Sequence, residues 1–255
     1  MGRLVIKVIQ ESEGISLVGA TERMNHPLIG HEIAETRGVG KPGIVMTDSL
    51  AKVGDDYDVI IDFTTPENSM NNLRWAAFEE RAIVIGTTGF SPQEMEEIAR
   101  IAPETRTVFS PNMSVGVNVM FKLISEAARV LGDDYDVEII ETHHRMKKDA
   151  PSGTALKMAE ILARSLKRNL SEVGRYERKG IIGERRSEEI GIQCIRAGDI
   201  VGDHTVMFGG IGERIEITHR AQNRENFARG GVRAAKWIVN QQKGLYDMLD
   251  VLGLR

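Results

Sequence analysis

Val59-Ile-Ile-Asp-Phe63, the segment 66–80 and Ala82-Ile-Val-Ile85 together decide the fold of this chain. Two short runs of Val and Ile flank a stretch in which Met70, Leu73, Ala76 and Ala77 recur at helical spacing, with Pro66 near its start. Runs so dense in branched apolar residues belong to strands buried on both faces, the condition of a parallel sheet covered by helices. Strand, helix and strand in that order make a crossover unit. The rhythm extends on both sides, from residue 15 to about residue 118. Segments 15–19 and 107–110 read as further strands, and 92–101 as a second crossover helix with Ser91 as its N-cap and Pro92 at its first position.

Beyond Asn118 the rhythm changes. Segment 119–131 reads as a helix ended by Gly132, and strand-like segments follow at 136–142, 191–196, 205–208 and 214–218. Turn signals, Ala197-Gly-Asp199 and Gly209-Gly-Ile-Gly212, separate the later ones. Strands joined by tight turns pair antiparallel or in mixed fashion. Helices are expected at 152–166 and 224–240, the latter with Val232, Ala235 and Val239 in one stripe that Lys236 interrupts by snorkelling. Two domains are therefore expected, 1–118 and 119–224, with 225–255 returning to the first. The polar stretch 167–186 reads as a connecting arm.

Composition narrows the classes. With 255 residues, 27% charged and 41% hydrophobic, the chain has the balance of a globular protein and not of a disordered or fibrous one. A net charge of −4 without basic blocks speaks against nucleic acid and anionic membranes as partners. Small molecules and copies of the chain itself remain. Cys194 is the single cysteine, so no intrachain disulfide and no cysteine-rich zinc site can form, which suits a reducing cytosol. No apolar run approaches the ~20 residues of a membrane span, and the start lacks the features of a signal peptide. A cytoplasmic location is expected.

Chemistry concentrates in Glu141-Thr-His-His-Arg-Met-Lys-Lys-Asp-Ala-Pro-Ser-Gly-Thr154. His143 ends a predicted strand, at the edge where open α/β folds hold ligands. Pro151, Ser152, Gly153 and Thr154 open an amphipathic helix whose backbone amides and dipole favour an anion, plausible as a carboxylate. His143 can transfer a proton near neutral pH, and Lys147 supplies a cation to polarise an electron-poor carbon. The combination suits reduction of an imine or a conjugated acid. Structural roles compete at each position: adjacent histidines on a continuing strand point to opposite faces, and a Pro-Ser-Gly-Thr start can be an ordinary cap. A zinc site of His143, His144 and Asp149 is not expected, because those spacings match no helical ligand pair.

The segment resembles the signature of the 4-hydroxy-tetrahydrodipicolinate reductases, Glu-x-His-His-x-x-Lys-x-Asp-Ala-Pro-Ser-Gly-Thr-Ala, unbroken from Glu141 to Ala155. The resemblance continues through 59–67, Gly86-Thr-Thr-Gly-Phe90, Asn112-Met-Ser-Val-Gly-Val-Asn118, Arg196-Ala-Gly-Asp-Ile-Val-Gly-Asp-His204 and Gly212-Glu-Arg-Ile-Glu-Ile-Thr-His219. It implies an α/β fold: a Rossmann-like dinucleotide-binding domain (1–118) for NADPH or NADH, and a mixed-sheet α+β domain (119–224) that binds a dicarboxylate substrate and builds a homotetramer, with hinge closure between them. It implies His143 and Lys147 as proton-transfer residues, and His144, Gly153 and Thr154 as ligands of the substrate carboxylates. It implies Gly86, Thr87 and Thr88 at the nicotinamide end, with Ser110, Pro111, Asn112 and Met113 around it. Glu22 and Arg23 match the positions that meet the adenosine ribose. A carboxylate there accepts from the 2′-hydroxyl of NADH and an arginine pairs with the 2′-phosphate of NADPH, so both together suggest dual use.

One departure stands out. Met1-Gly2-Arg3 matches the tail of the family's Gly-Arg-Met-Gly-Arg, and 4–10 reads as the first crossover helix. The preceding strand and glycine loop, roughly fifteen residues, are missing. The favoured reading is a natural start further upstream; the other is a shortened protein with an exposed sheet edge and poor cofactor affinity. A non-catalytic dinucleotide- or dicarboxylate-binding oligomer of the same fold is the alternative function. A semialdehyde dehydrogenase would need a nucleophilic cysteine, and Cys194 has no histidine beside it in sequence.

Overall fold

The computed structural model describes residues 1–34, 38 and 42–255. They divide into two compact units, Met1–Val115 with Glu225–Arg255, and Gly116–Arg224. None of the helices among the described residues is long and apolar enough to cross a membrane.

The first unit is built on a parallel sheet ordered β11-β5-β4-β3: Gly244–Tyr246 (β11), Arg106–Phe109 (β5), Ala82–Ile85 (β4) and Val59–Asp62 (β3). β4 is central and all four of its side chains are buried. Because successive strand residues face opposite ways, Ala82 and Val84 pack on one layer and Ile83 and Ile85 on the other. With Leu170–Val173 as α6, the first layer is Glu225–Ile238 (α7) and Met248–Leu252 (α8), through Ala234, Ala235, Ile238, Met248 and Val251. The second is Pro66–Phe78 (α2) and Pro92–Ile101 (α3), through Met70, Leu73, Ala76 and Ile98. Ser91 caps α3 as expected, accepting from the Glu94 amide while Glu94 accepts from the Ser91 amide. α7 passes the loop after β5 so closely that only glycine fits at position 230, where a Cβ would lie 1.7 Å from the Met113 carbonyl oxygen.

Gly2–Gln10 (α1) buries Val5, Val8 and Ile9 against Ala228 and Val232 of α7. Lys236 of α7 reaches out to the Glu13 carbonyl at 2.8 Å. The segment 15–19 departs from expectation. It carries no ladder, and pairing begins only at Ala20–Thr21 (β1), which joins Met46–Thr47 (β2) in a separate two-stranded sheet. Ile15 and Leu17 turn instead toward α1, and a cavity of about 210 Å³ lies between Val5, Ile6 and Ile9, the segment 15–21 and β3. Among the described residues, the outer edge of β3 pairs with no strand.

The second unit carries a mixed sheet ordered β10-β9-β6-β8-β7. Its strands are Asp136–His143 (β6), Gly174–Arg175 (β7), Ile190–Arg196 (β8), Gly202–Gly209 (β9) and Arg214–Ala221 (β10). β6 runs parallel to β8 and antiparallel to β9. One face of this sheet is covered by Val115–Leu131 (α4) and Gly153–Ser165 (α5). Along that face the strands change character. Val137 and Ile139, Ile190 and Ile192, and Phe208 and Val206 fill the core with Ile124, Met158 and Leu162. Further along the same strands and face stand Glu141 and His143, Cys194 and Arg196, and His204 and Gly202. The polar end of the face is the candidate site.

Candidate active site

Glu141 and His143 are two apart on β6 and so share a face. Arg196 is the cross-strand partner of His143, and His204 that of Glu141. The Glu141 carboxylate, 0% exposed, is held by four donors. Oε2 receives His143 Nδ1 at 2.5 Å and Arg196 Nη1 at 2.9 Å. Oε1 receives Arg196 Nη2 at 2.8 Å and the Ser152 amide at 3.1 Å. An ionised carboxylate only accepts, so His143 donates from Nδ1 and its Nε2 is left for other work. Burial acts to raise the Glu141 carboxyl and is outweighed by hydrogen bonds from His143, Arg196 and the Ser152 amide, which hold it well below the usual carboxylate range.

The neighbours of this pair are specific. A Cβ at Gly202 would stand 2.9 Å from His143 Nε2, so the ring occupies space that only glycine leaves open. His204 meets the His143 ring edge-on with centroids 5.2 Å apart, and its Nε2 lies 3.1 Å from Ser152 Oγ. Burial, then the charge of His143, pushes His204 down to about 4, so it is neutral near pH 7. Its Nδ1 is buried and has no hydrogen-bond partner among the described residues. Ser152 caps α5 by accepting from the Ala155 amide at 3.2 Å, and Gly153 and Thr154 are the first residues of that helix. Gly153 is exposed, with open space where a Cβ would stand. Lys147 pairs with the Asp149 carboxylate at 2.8 Å, while the Asp149 carbonyl accepts from Arg196 at 2.7 Å. Lys147 is thereby linked to His143 through Asp149, Arg196 and Glu141. His144 is half-buried, and its carbonyl accepts from the Lys147 amide in the turn that follows β6. The Cys194 thiol, pushed up to about 11 by burial and by Glu141, stays protonated and is a poor nucleophile.

In the first unit, the residues expected around the nicotinamide gather at the carboxyl ends of β4 and β5, where parallel sheets hold ligands. Gly86, Thr87 and Thr88 follow β4, and Ser110, Pro111, Asn112 and Met113 follow β5. A Cβ at Gly86 would lie 2.3 Å from the Phe63 ring, so the loop lies tight against the end of β3. Thr87 is buried and Thr88 exposed. Met113 is a core residue at 1% exposure, which leaves its backbone as the part able to meet a ligand. Glu22 and Arg23 follow β1, outside the four-stranded sheet, and the Arg23 amide donates to Glu22 Oε1 at 3.1 Å. Glu22 and Arg23 side by side, and a loop drawn tight by Gly86, fit a dinucleotide.

Sequence reasoning left out Glu141 as a working residue, and with it Arg196, His204, Asp62 and Thr64. Glu141 and His143 at alternate strand positions were a usable signal. Arg196 gave none, since its place beside His143 depends on register. Asp62 accepts from the Thr64 amide and hydroxyl at 2.9 and 2.7 Å, from Asn72 at 2.9 Å and from Thr87 at 3.3 Å, tying the loops after β3 and β4 together.

A parallel sheet with ligand loops at its carboxyl edge, joined in one chain to a mixed-sheet unit with an imidazole–carboxylate pair, defines a two-domain dehydrogenase or reductase. The amine dehydrogenase from Mycobacterium smegmatis shares this fold, and the fold alone, at 13% identity and a TM-score of 0.56 over 96% of this chain and 91% of its own. The family models described as dihydrodipicolinate reductase, N-terminus and C-terminus, match residues 1–113 and 116–252. The 4-hydroxy-tetrahydrodipicolinate reductase of Syntrophus aciditrophicus is 58% identical over all of this chain and 95% of its own. The dipicolinate-bound dihydrodipicolinate reductase from Paenisporosarcina sp. TG-14 has a TM-score of 0.75 at 26% identity, covering 98% of this chain and 94% of its own. The chain belongs to the dihydrodipicolinate reductase family.

Proposed function

We propose that this protein is a cytoplasmic enzyme that reduces 4-hydroxy-tetrahydrodipicolinate to tetrahydrodipicolinate with NADPH or NADH, in the diaminopimelate route to lysine. The observation that carries the reading is His143 held by Glu141 beside the start of α5, within a chain 58% identical to a reductase of that name. The nicotinamide cofactor supplies a hydride when bound. Gly86, Thr87 and Thr88, with Ser110, Pro111, Asn112 and Met113, hold its nicotinamide end; Glu22 and Arg23 hold its adenosine ribose and accept either cofactor. The substrate carboxylates meet the α5 start at Gly153 and Thr154, with His144 beside them. His143 and Lys147 carry the proton. Hydride and proton enter, and the 4-hydroxyl leaves as water.

The chain assembles as a homotetramer through its second unit, a reading supported by the exposed apolar side chains Ile195, Ile211 and Ile215 there. The experiment is loss of reduced-nicotinamide absorbance with freshly generated substrate, run with NADPH and with NADH. Turnover with either supports the reductase. Tight binding of dipicolinate without any turnover would make the chain a dicarboxylate-binding protein instead.

A further inference from the structure

We propose that Glu141 is a positioning residue for the reduction: one buried carboxylate aims His143 and anchors the amide that opens the substrate-binding helix, with Arg196 as its fixed counter-ion. The proposal rests on the reading of His143 as a proton-transfer group.

The carboxylate has four acceptor positions and all four are used. Two go to the bidentate fork of Arg196, an arrangement that fixes orientation as well as charge. The third fixes the His143 ring, and with it which nitrogen bears the proton in the neutral form. The fourth holds Ser152, so the carboxylate-binding helix start and the imidazole are located by the same group. A buried Glu–Arg pair serving structure alone could be replaced by apolar residues at little cost. It would have no reason to spend an acceptor on an imidazole whose other nitrogen stands against Gly202.

The charges around His143 settle the direction of the effect. Its own strand presents the Glu141 anion at 2.5 Å. β8 presents the Arg196 cation and the protonated Cys194 thiol; β9 presents His204, which is neutral. The turn after β6 presents Lys147 and Asp149, which pair with each other. Glu141 is the anion bonded to the ring, so neutralising it leaves His143 facing Arg196 alone and weakens proton binding. Neutralising Arg196 leaves the anion uncompensated and strengthens it.

The test is an NMR titration of the His143 imidazole in the whole protein, alongside the pH profile of kcat/KM, for wild type, Glu141→Gln and Arg196→Gln. Glu141→Gln is expected to lower the His143 midpoint, because the anion bonded to the ring is gone, and to move the alkaline limb of kcat/KM with it. It should reduce kcat about a hundredfold with a small change in KM. Arg196→Gln is expected to move both midpoints upward. Folded variants whose midpoints stay put, or move in the same direction, would overturn the proposal. Should Glu141→Gln not fold, the neutral tautomer of wild-type His143 decides: a proton on Nδ1 supports the proposal and one on Nε2 overturns it. Opposite shifts in a wild type that oxidises no cofactor would leave the dyad standing and sink the reductase reading; turnover with unmoved midpoints would sink the dyad alone.

Discussion

Asp62 in the first unit and Glu141 in the second are both shut away from water, at 1% and 0% exposure, and they are satisfied by opposite means. Asp62 is surrounded by neutral donors: two hydroxyls, a carboxamide and a backbone amide. Glu141 faces a guanidinium and an imidazole. Neutral donors hold a shape; charged partners set the affinity of a neighbour for a proton. The cluster at Asp62 is therefore a clamp on the loops after β3 and β4, and the cluster at Glu141, in the function proposed above, a device for proton transfer.

The largest way to break this comparison is Glu141→Ala. It strands Arg196 in a largely covered site and leaves the His143 Nδ1–H without an acceptor, and removing one partner of such a pair costs about 3–5 kcal/mol. The urea midpoint should fall accordingly and turnover should be lost. A stable and active variant would show that the carboxylate matters no more than its volume.

Acid should separate the units next. His204 falls from its ordinary 6.5 to about 4 on folding, so between those values the unfolded chain binds more protons and stability rises with pH. That contribution is complete above pH 6.5 and gone below 4, a loss of about 3 kcal/mol at most. Glu141, depressed on folding, adds a second loss as pH falls below the usual carboxylate range. Stability curves of wild type and His204→Gln should diverge as pH rises from 4 to 6.5; parallel curves would remove His204 as the cause.

Much of this was legible from residues alone. Ala82-Ile-Val-Ile85 reads as a doubly buried strand because a strand covered on both faces favours an unbroken run of apolar residues. Ser91-Pro92 marks a helix start because capping is local chemistry. Segment 141–155 showed a histidine at a strand end and a capped helix start for the same reason. What could not be read depends on pairing. Arg196 lies 55 positions from Glu141 and meets it through the β6–β8 register. β9 and β10 extend past the expected 205–208 and 214–218, to Gly202 and Ala221, because Gly202, Asp203 and His204 also carry the ladder. Segment 15–19 has strand composition and no ladder, since composition cannot supply a neighbour.

Asp62→Asn sharpens the comparison from the other side. The amide keeps one acceptor but turns an NH₂ toward existing donors, leaving a buried group unsatisfied at about 1–3 kcal/mol. Cofactor KM should rise several-fold as the loops after β3 and β4 loosen. The alkaline limb of kcat/KM should not move, because no proton-transfer group touches Asp62. A displaced limb would mean the two clusters are not distinct in kind.

Thr87→Val is the smallest and most selective change. Thr87 Oγ1 accepts from the Thr64 amide at 2.9 Å and donates to Asp62 at 3.3 Å, so the hydroxyl bridges the two loops with one good bond and one long one. Valine keeps the branched shape and removes both. The Thr64 amide also reaches Asp62 at 2.9 Å and is not left bare, which limits the cost to about 1 kcal/mol. The expected outcome is a two- to threefold rise in cofactor KM, by roughly the factor that ~0.5 kcal/mol implies, with kcat and its pH dependence unchanged. A clamp made of shared neutral bonds loses one link and still holds. If kcat fell as it does in Glu141→Gln, the hydroxyl would be acting on the reaction itself, and the division of labour between the two buried carboxylates would have to be redrawn.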